Sequence, residues 1–213
     1  TINVVVPGEK KLVIDSPNSM TYGDAAIDLK ATLLNGAGDN QTGSAQELMS
    51  GVTYYVNDVA IEGKIFNPTA AGTYTIKATY INAGETLTAT KTINVSKRTV
   101  KIVPKVENNV TSYTLENIVS ADDSLFNGKI NVTCAGVTTG AAAGQYPINV
   151  TYTPGTDDNA KTIDSRYLVI LDTTQVYTVS DDVVKVTNAT NSNNGTVTLQ
   201  YTVTNTTGSN TFN

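Results

Sequence analysis

The 213-residue chain has no histidine, no tryptophan and a single cysteine. Without histidine, neither a Ser-His-Asp nor a Cys-His catalytic pair can be assembled, and histidine-ligated zinc is excluded as well. With Cys134 alone, no disulfide can close inside the chain. Cys134 lies in the alternating run KINVTCAG, with no electropositive pocket in the local sequence, and reads as a small buried hydrophobe rather than a reactive thiol. Fourteen Lys and Arg against nineteen Asp and Glu leave a net charge of −5, a poor match for nucleic acid or anionic lipid. No apolar run approaches the roughly 20 residues of a membrane helix, and no signal peptide is present. The chain opens abruptly at Thr1 and reads as a segment of something longer.

What remains is strand material. The apolar fraction is 39% and the charged fraction 15%, enough for a packed core. Helical periodicity is nearly absent, and alternation with a period of two is common. In AAGTYTIKATY, residues 70–80, Tyr74, Ile76, Ala78 and Tyr80 share one face, and Thr73, Thr75, Lys77 and Thr79 the other. The same phrase returns at 142–152 as AAGQYPINVTY, with Tyr146, Ile148, Val150 and Tyr152 inward and Pro147 outward. Pro147 should sit at an edge or near a strand start, where no ladder N–H is needed. Ile27, Leu29, Ala31 and Leu33 form another inward set. So do Val52, Tyr54 and Val56, and also Leu87, Ala89, Ile93 and Val95, the last broken by Lys91. Turn signals at 7–10, 35–40, 82–85 and 154–159 separate these runs.

A second echo, TINV at 1–4 and at 92–95, marks module edges. Residues 1–8 read as the end of a preceding module or a lead-in strand. Residues 9–96 form one module and 97–173 a second, divergent one. Each is near the size of an immunoglobulin-like β-sandwich. Residues 174–213 carry two strand-like runs and read as a C-terminal hairpin or partial third module. The predicted fold class is therefore all-β, with tandem immunoglobulin-like β-sandwich modules. In such sandwiches a tyrosine at the start of the penultimate strand can turn its hydroxyl back to the chain at a corner. Tyr74 and Tyr146, approached by Gly72 and Gly144, are expected to do so.

Tyr22-Gly23-Asp24, the IDLKATL strand, AAGTYTIKATY and KTINVSKRTVKI together resemble the bacterial MBG-type repeat of the YGX class. The match spans about 15–103. It continues more weakly over 104–173, where TSYTLENIV stands in place of the Tyr-Gly-Asp motif, and does not reach 174–213. The resemblance implies a β-sandwich repeat in a secreted or surface-anchored bacterial protein of adhesin type. It implies no particular ligand.

Several side chains could carry chemistry, and each has a plainer reading. The acid pairs Asp122-Asp123, Asp157-Asp158 and Asp181-Asp182 could contribute to calcium cages. Without cage spacing they read as solvated loops. Lys91 could enter a Lys–Asn isopeptide, and reads instead as a lysine reaching out along the rim. The sequons at Asn40, Asn94, Asn109, Asn131, Asn149, Asn188, Asn194 and Asn205 follow from a composition rich in Thr and Asn. Tyr55 and Tyr113 could offer a sugar platform, or be isolated surface tyrosines.

The expected function is a non-enzymatic extracellular module of a bacterial surface protein, contributing to cell adhesion as a spacer or binding repeat. The alternative is an accessory carbohydrate-binding module of a secreted surface hydrolase. No catalytic residue, metal or cofactor is expected, and the ligand-binding residues are unknown. The partner expected is a host glycoprotein or polysaccharide, with no nucleic acid and no membrane insertion in this segment.

Overall fold

The computed structural model describes residues 10–35, 45–82, 84–138, 141–180, 183–191, 197–205 and 208–212, the last three stretches by backbone alone. The chain is mostly β-strand and divides into two compact units. One comprises residues 1–98 together with 161–168, the other residues 99–160 together with 169–213. The sequence reading assigned 161–168 to the stretch 97–173.

The first unit contains β1 (Lys10–Asp15), β2 (Ser19–Thr21), β3 (Ile27–Asp28), β4 (Lys30–Asn35), β5 (Ala45–Glu47), β6 (Val52–Val56), β7 (Val59–Ala60), β8 (Ile65–Phe66), β9 (Gly72–Asn82) and β10 (Glu85–Ser96). β1, β4 and β5 form one antiparallel sheet, in which Leu12 faces Leu33 and Ile14 faces Ala31. A second sheet has the order β2-β10-β9-β6-β7, with β2 parallel to β10. The lead segment thus supplies one strand to each sheet. Contacts of β1 with β9 and β10 bring the two sheets together.

The alternation explains which faces meet. Leu12, Ile14, Ala31, Leu33, Ile76, Ala78, Ile93 and Val95 are all buried. Thr73, Thr75, Thr86, Thr88, Thr90, Thr92 and Asn94 are exposed on the opposite face. A buried Leu or Ile side chain is worth about 1.5–3 kcal/mol of transfer free energy, so a one-residue slip would forfeit the whole inward set. Asn82 pairs with Glu85 across the β9–β10 turn, and Asn57-Asp58, both at positive φ, make the β6–β7 turn.

The second unit uses β11 (Arg98–Glu107), β12 (Val110–Glu116), a 3-10 helix (Ser120–Phe126), β13 (Ile130–Cys134), β14 (Gly144–Tyr152), α1 (Asp158–Arg166), β15 (Tyr167–Leu171) and β16 (Val176–Val179). Arg98, Lys161–Arg166, Tyr167 and Leu168 of these elements count with the first unit. The sheets are β12-β11-β15 and β13-β14-β16. Val100, Ile102, Phe126, Ile148 and Val150 are buried. Pro147 lies one residue beyond the last β13–β14 pair, Cys134 with Ile148, so its missing N–H costs that ladder nothing.

Two features depart from the sequence reading. Residues 154–159, read as a turn, run into a helix, α1, over Asp158–Arg166. Asp157 caps it by accepting the Ala160 N–H at 2.7 Å, and Asp158 at its start and Arg166 at its end suit the helix dipole. VYTV, read as part of the C-terminal hairpin, is β16 and pairs with β14. Beyond it β17 (Val183–Asn191), β18 (Val197–Asn205) and β19 (Gly208–Phe212) form a three-stranded antiparallel sheet.

Candidate functional site

The repeated phrase builds the same corner twice. The Tyr74 hydroxyl donates to the Ala70 carbonyl at 2.9 Å, and the Tyr146 hydroxyl donates to the Ala142 carbonyl at 2.8 Å. Gly72 and Gly144 approach these corners at φ of 151° and 157°, a region that side chains with a Cβ avoid. These tyrosines staple backbone to backbone, which is a structural role.

Tyr22-Gly23-Asp24 also proves to be a structural device. The Tyr22 carbonyl accepts the Arg98 Nε–H at 2.7 Å, and Asp24 pairs with the same guanidinium at 2.7 Å while also accepting the Thr21 N–H at 2.8 Å. The buried Tyr22 ring meets Tyr167 edge-on at 5.5 Å and carries the Arg166 guanidinium 5.2 Å from its centroid. Lys97 with Asp164, Arg166 with the Thr69 carbonyl, and the Ala71 N–H with the Ser165 carbonyl complete this network, all at 2.9 Å. One motif therefore fixes two arginines within the first unit around a buried ring.

Two polar clusters secure the second unit. Lys129, 8% exposed at its side chain, donates to both Asp157 oxygens at 2.9 Å and to the Pro154 carbonyl at 2.7 Å. The Lys129 hydrogen bonds, and after them the Ala160 N–H, hold the Asp157 carboxyl below the usual carboxylate range. Asp172, buried, pairs with Lys101 at 2.8 Å and accepts hydrogen bonds from Thr174 and Gln175. Its carboxyl is driven well below the ordinary range, first by Lys101 and then by the Thr174 hydroxyl. Every strong acceptor in these clusters is already answered, which marks them as fasteners.

The sequence candidates fall out as follows. Asp157 is an exposed loop acid, as expected, and it is also the partner of Lys129. Asp122 is buried in the 3-10 helix while Asp123 is exposed, and Asp181-Asp182 lies outside the described residues. Among the described residues no group of three or more His, Cys, Asp or Glu is placed to hold a metal ion. Lys91 is half-buried and donates to the Ser16 main-chain carbonyl, rather than meeting the asparagine side chain an isopeptide requires. Cys134 is half-buried, its sulfur 4.0 Å from the Tyr146 carbonyl. Of the sequons, Asn40, Asn194 and the side chains of Asn188 and Asn205 lie outside the described residues; Asn94, Asn109, Asn131 and Asn149 are exposed. Asn109 sits in the β11–β12 turn at positive φ and accepts the Tyr177 hydroxyl at 2.7 Å.

The two platform tyrosines fare differently. Tyr55 is half-buried, and Lys77 Nζ stands 4.6 Å over its ring while pairing with Asp58 at 2.8 Å. One face of that ring is therefore taken by a cation. Tyr113 lines a depression of about 420 Å³ with Thr111, Ser112, Ile130, Asn131 and Val132. The first unit has a depression of about 450 Å³ of its own, bordered by Met49, Tyr54, Ile61 and Lys64. Sequence alone found Tyr113 but could not supply Thr111 and Asn131, because they reach the same hollow from strands of different sheets.

No family model matches the chain, and no curated protein is similar to it. Among the described residues, no helix is long and apolar enough to cross a membrane.

Proposed function

We propose that the chain is a non-enzymatic extracellular segment of a bacterial surface protein, built of tandem immunoglobulin-like β-sandwich modules of the MBG type. It contributes to cell adhesion as a spacer or binding repeat. The observation that carries this reading is the duplicated Ala-Ala-Gly-x-Tyr corner, made once in each of two strand-built units. A self-stapled β unit repeated along one chain is the element from which an extended array is made. The role of Tyr22-Gly23-Asp24 as a clamp on Arg98 supports the family reading, because it gives the family's short motif a physical reason to exist. Host glycoprotein or polysaccharide is the partner such a repeat would meet.

The test uses the full-length protein in the cells that make it. Antibodies raised against residues 1–213 should label intact cells. Replacing the segment with unrelated β modules of equal length should keep adhesion if it is a spacer and lose it if it is a binding repeat. Labelling that appears only after lysis, or adhesion unchanged when the segment is deleted outright, contradicts the reading.

A further inference from the structure

We infer that the hollow between β12 and β13 is a binding site for a neutral saccharide, an inference that rests on the binding-repeat form of the proposed function. The two strands lie in different three-stranded sheets, and each is an end strand of its own sheet. Their edges therefore face a common space without pairing. That space is about 420 Å³, within the range of preformed small-ligand sites.

Its lining sets the ligand chemistry. Of the residues around it, Tyr113 is aromatic, Ile130 and Val132 are apolar, and Thr111, Ser112 and Asn131 carry hydroxyls and an amide, groups that both donate and accept. None of the six carries a charge, so neither a phosphate nor a charged peptide finds its counter-ion among them. A sugar ring presents C–H faces and hydroxyls in alternation, which is the pattern this lining complements. An added β-strand is a poorer fit. It would need two inter-strand spacings, about 9.6 Å in all, yet Cα atoms of β12 and β13 approach within 8 Å. The groups stand on strands rather than loops, so the site is held before a ligand arrives.

The experiment titrates the whole chain with neutral oligosaccharides (glucan, mannan, galactan and xylan fragments), a uronic-acid oligosaccharide and an extended neutral peptide, read by calorimetry and by NMR shifts. At least one neutral sugar should bind saturably and move residues 111–113 and 130–132. Asn131→Ala, an exposed position that leaves the fold intact, should weaken binding about tenfold, as should Tyr113→Ala. Tyr113→Phe should change it less than threefold, and Tyr55→Ala not at all. Absence of saturable binding by every neutral sugar, preference for the charged sugar or the peptide, or binding unchanged in Asn131→Ala overturns the inference. Positive intact-cell labelling with no sugar bound would remove this site alone. Sugar bound by a chain that never reaches the surface would remove the surface reading and leave the site.

Discussion

At Tyr74 and Tyr146 the same five-residue phrase reaches the same hydrogen bond, yet the neighbours differ. Tyr74 packs edge-on against the buried Phe66, ring centroids 5.2 Å apart, and its strand pairs with β10 along all of Gly72–Asn82. Among the described residues, Tyr146 meets no such ring. It lies against Gly136, where an added Cβ would come 2.6 Å from the Tyr146 ring. β14 pairs with β16 over Gly144–Pro147 and with β13 over Ile148–Tyr152. The corner is thus a local device set by the glycine, the tyrosine and the carbonyl four residues earlier. What fills the space beside it is decided by distant residues, and can be an aromatic ring in one unit and a bare glycine in the other.

The contrast can be broken from either side. The largest effect is expected from Phe66→Ala, which removes a ring only 2% exposed and should cost the first unit about 3–5 kcal/mol, read as a lowered urea midpoint. Gly136→Ala should cost the second unit about 1–3 kcal/mol by pushing a methyl into Tyr146. A silent Gly136→Ala would contradict the packing of Tyr146 against this glycine. Gly72→Ala meets no atom within 4 Å, so its loss, about 1–3 kcal/mol, would be backbone strain alone. Gly144→Ala should match it, and a large gap between the two would show that the corners are not equivalent.

The smallest effect belongs to Asp157→Asn, because that carboxylate is 59% exposed and solvent screens its pair with Lys129. Its folded-state pKa is lowered, so its contribution is fully present above its unfolded value, about pH 4, and fades as pH falls through the folded value. The midpoint difference between the parent and Asp157→Asn should therefore be constant from pH 7 to about 5 and shrink below 4. A difference that grows on acidification would reverse the sign and refute the assignment.

Much of the strand layout was legible because burial on one face enforces a period of two. Tyr74, Ile76 and Ala78 could be assigned inward from spacing alone, and both corners followed from a repeated Gly-x-Tyr. The helix α1 was not legible. Its cap, Asp157, sits in Pro-Gly-Thr-Asp-Asp-Asn, where the same residue types signal a turn. Nine residues bearing the buried Ala160 and Ile163 give too little periodicity to tell a helix from a loop. Lys129 was missed because nothing in Gly-Lys-Ile announces that its ammonium will be buried on a carboxylate 28 residues away. Tyr55 looked open because alternation says which face a ring is on, and not that Lys77 of the neighbouring strand stands over it. The hollow beside Tyr113 depended on bringing together β12 and β13, which no local pattern links.

The most direct measurement is hydrogen exchange, peptide by peptide, in Tyr74→Phe and Tyr146→Phe. Each substitution removes one hydroxyl and keeps the ring. The account predicts that each costs about 1 kcal/mol and speeds exchange about fivefold in its own strand, 72–82 or 144–152, by similar factors. Unchanged exchange in both variants, or a response in one strand and none in the other, would contradict the claim that the repeated phrase builds one and the same staple twice.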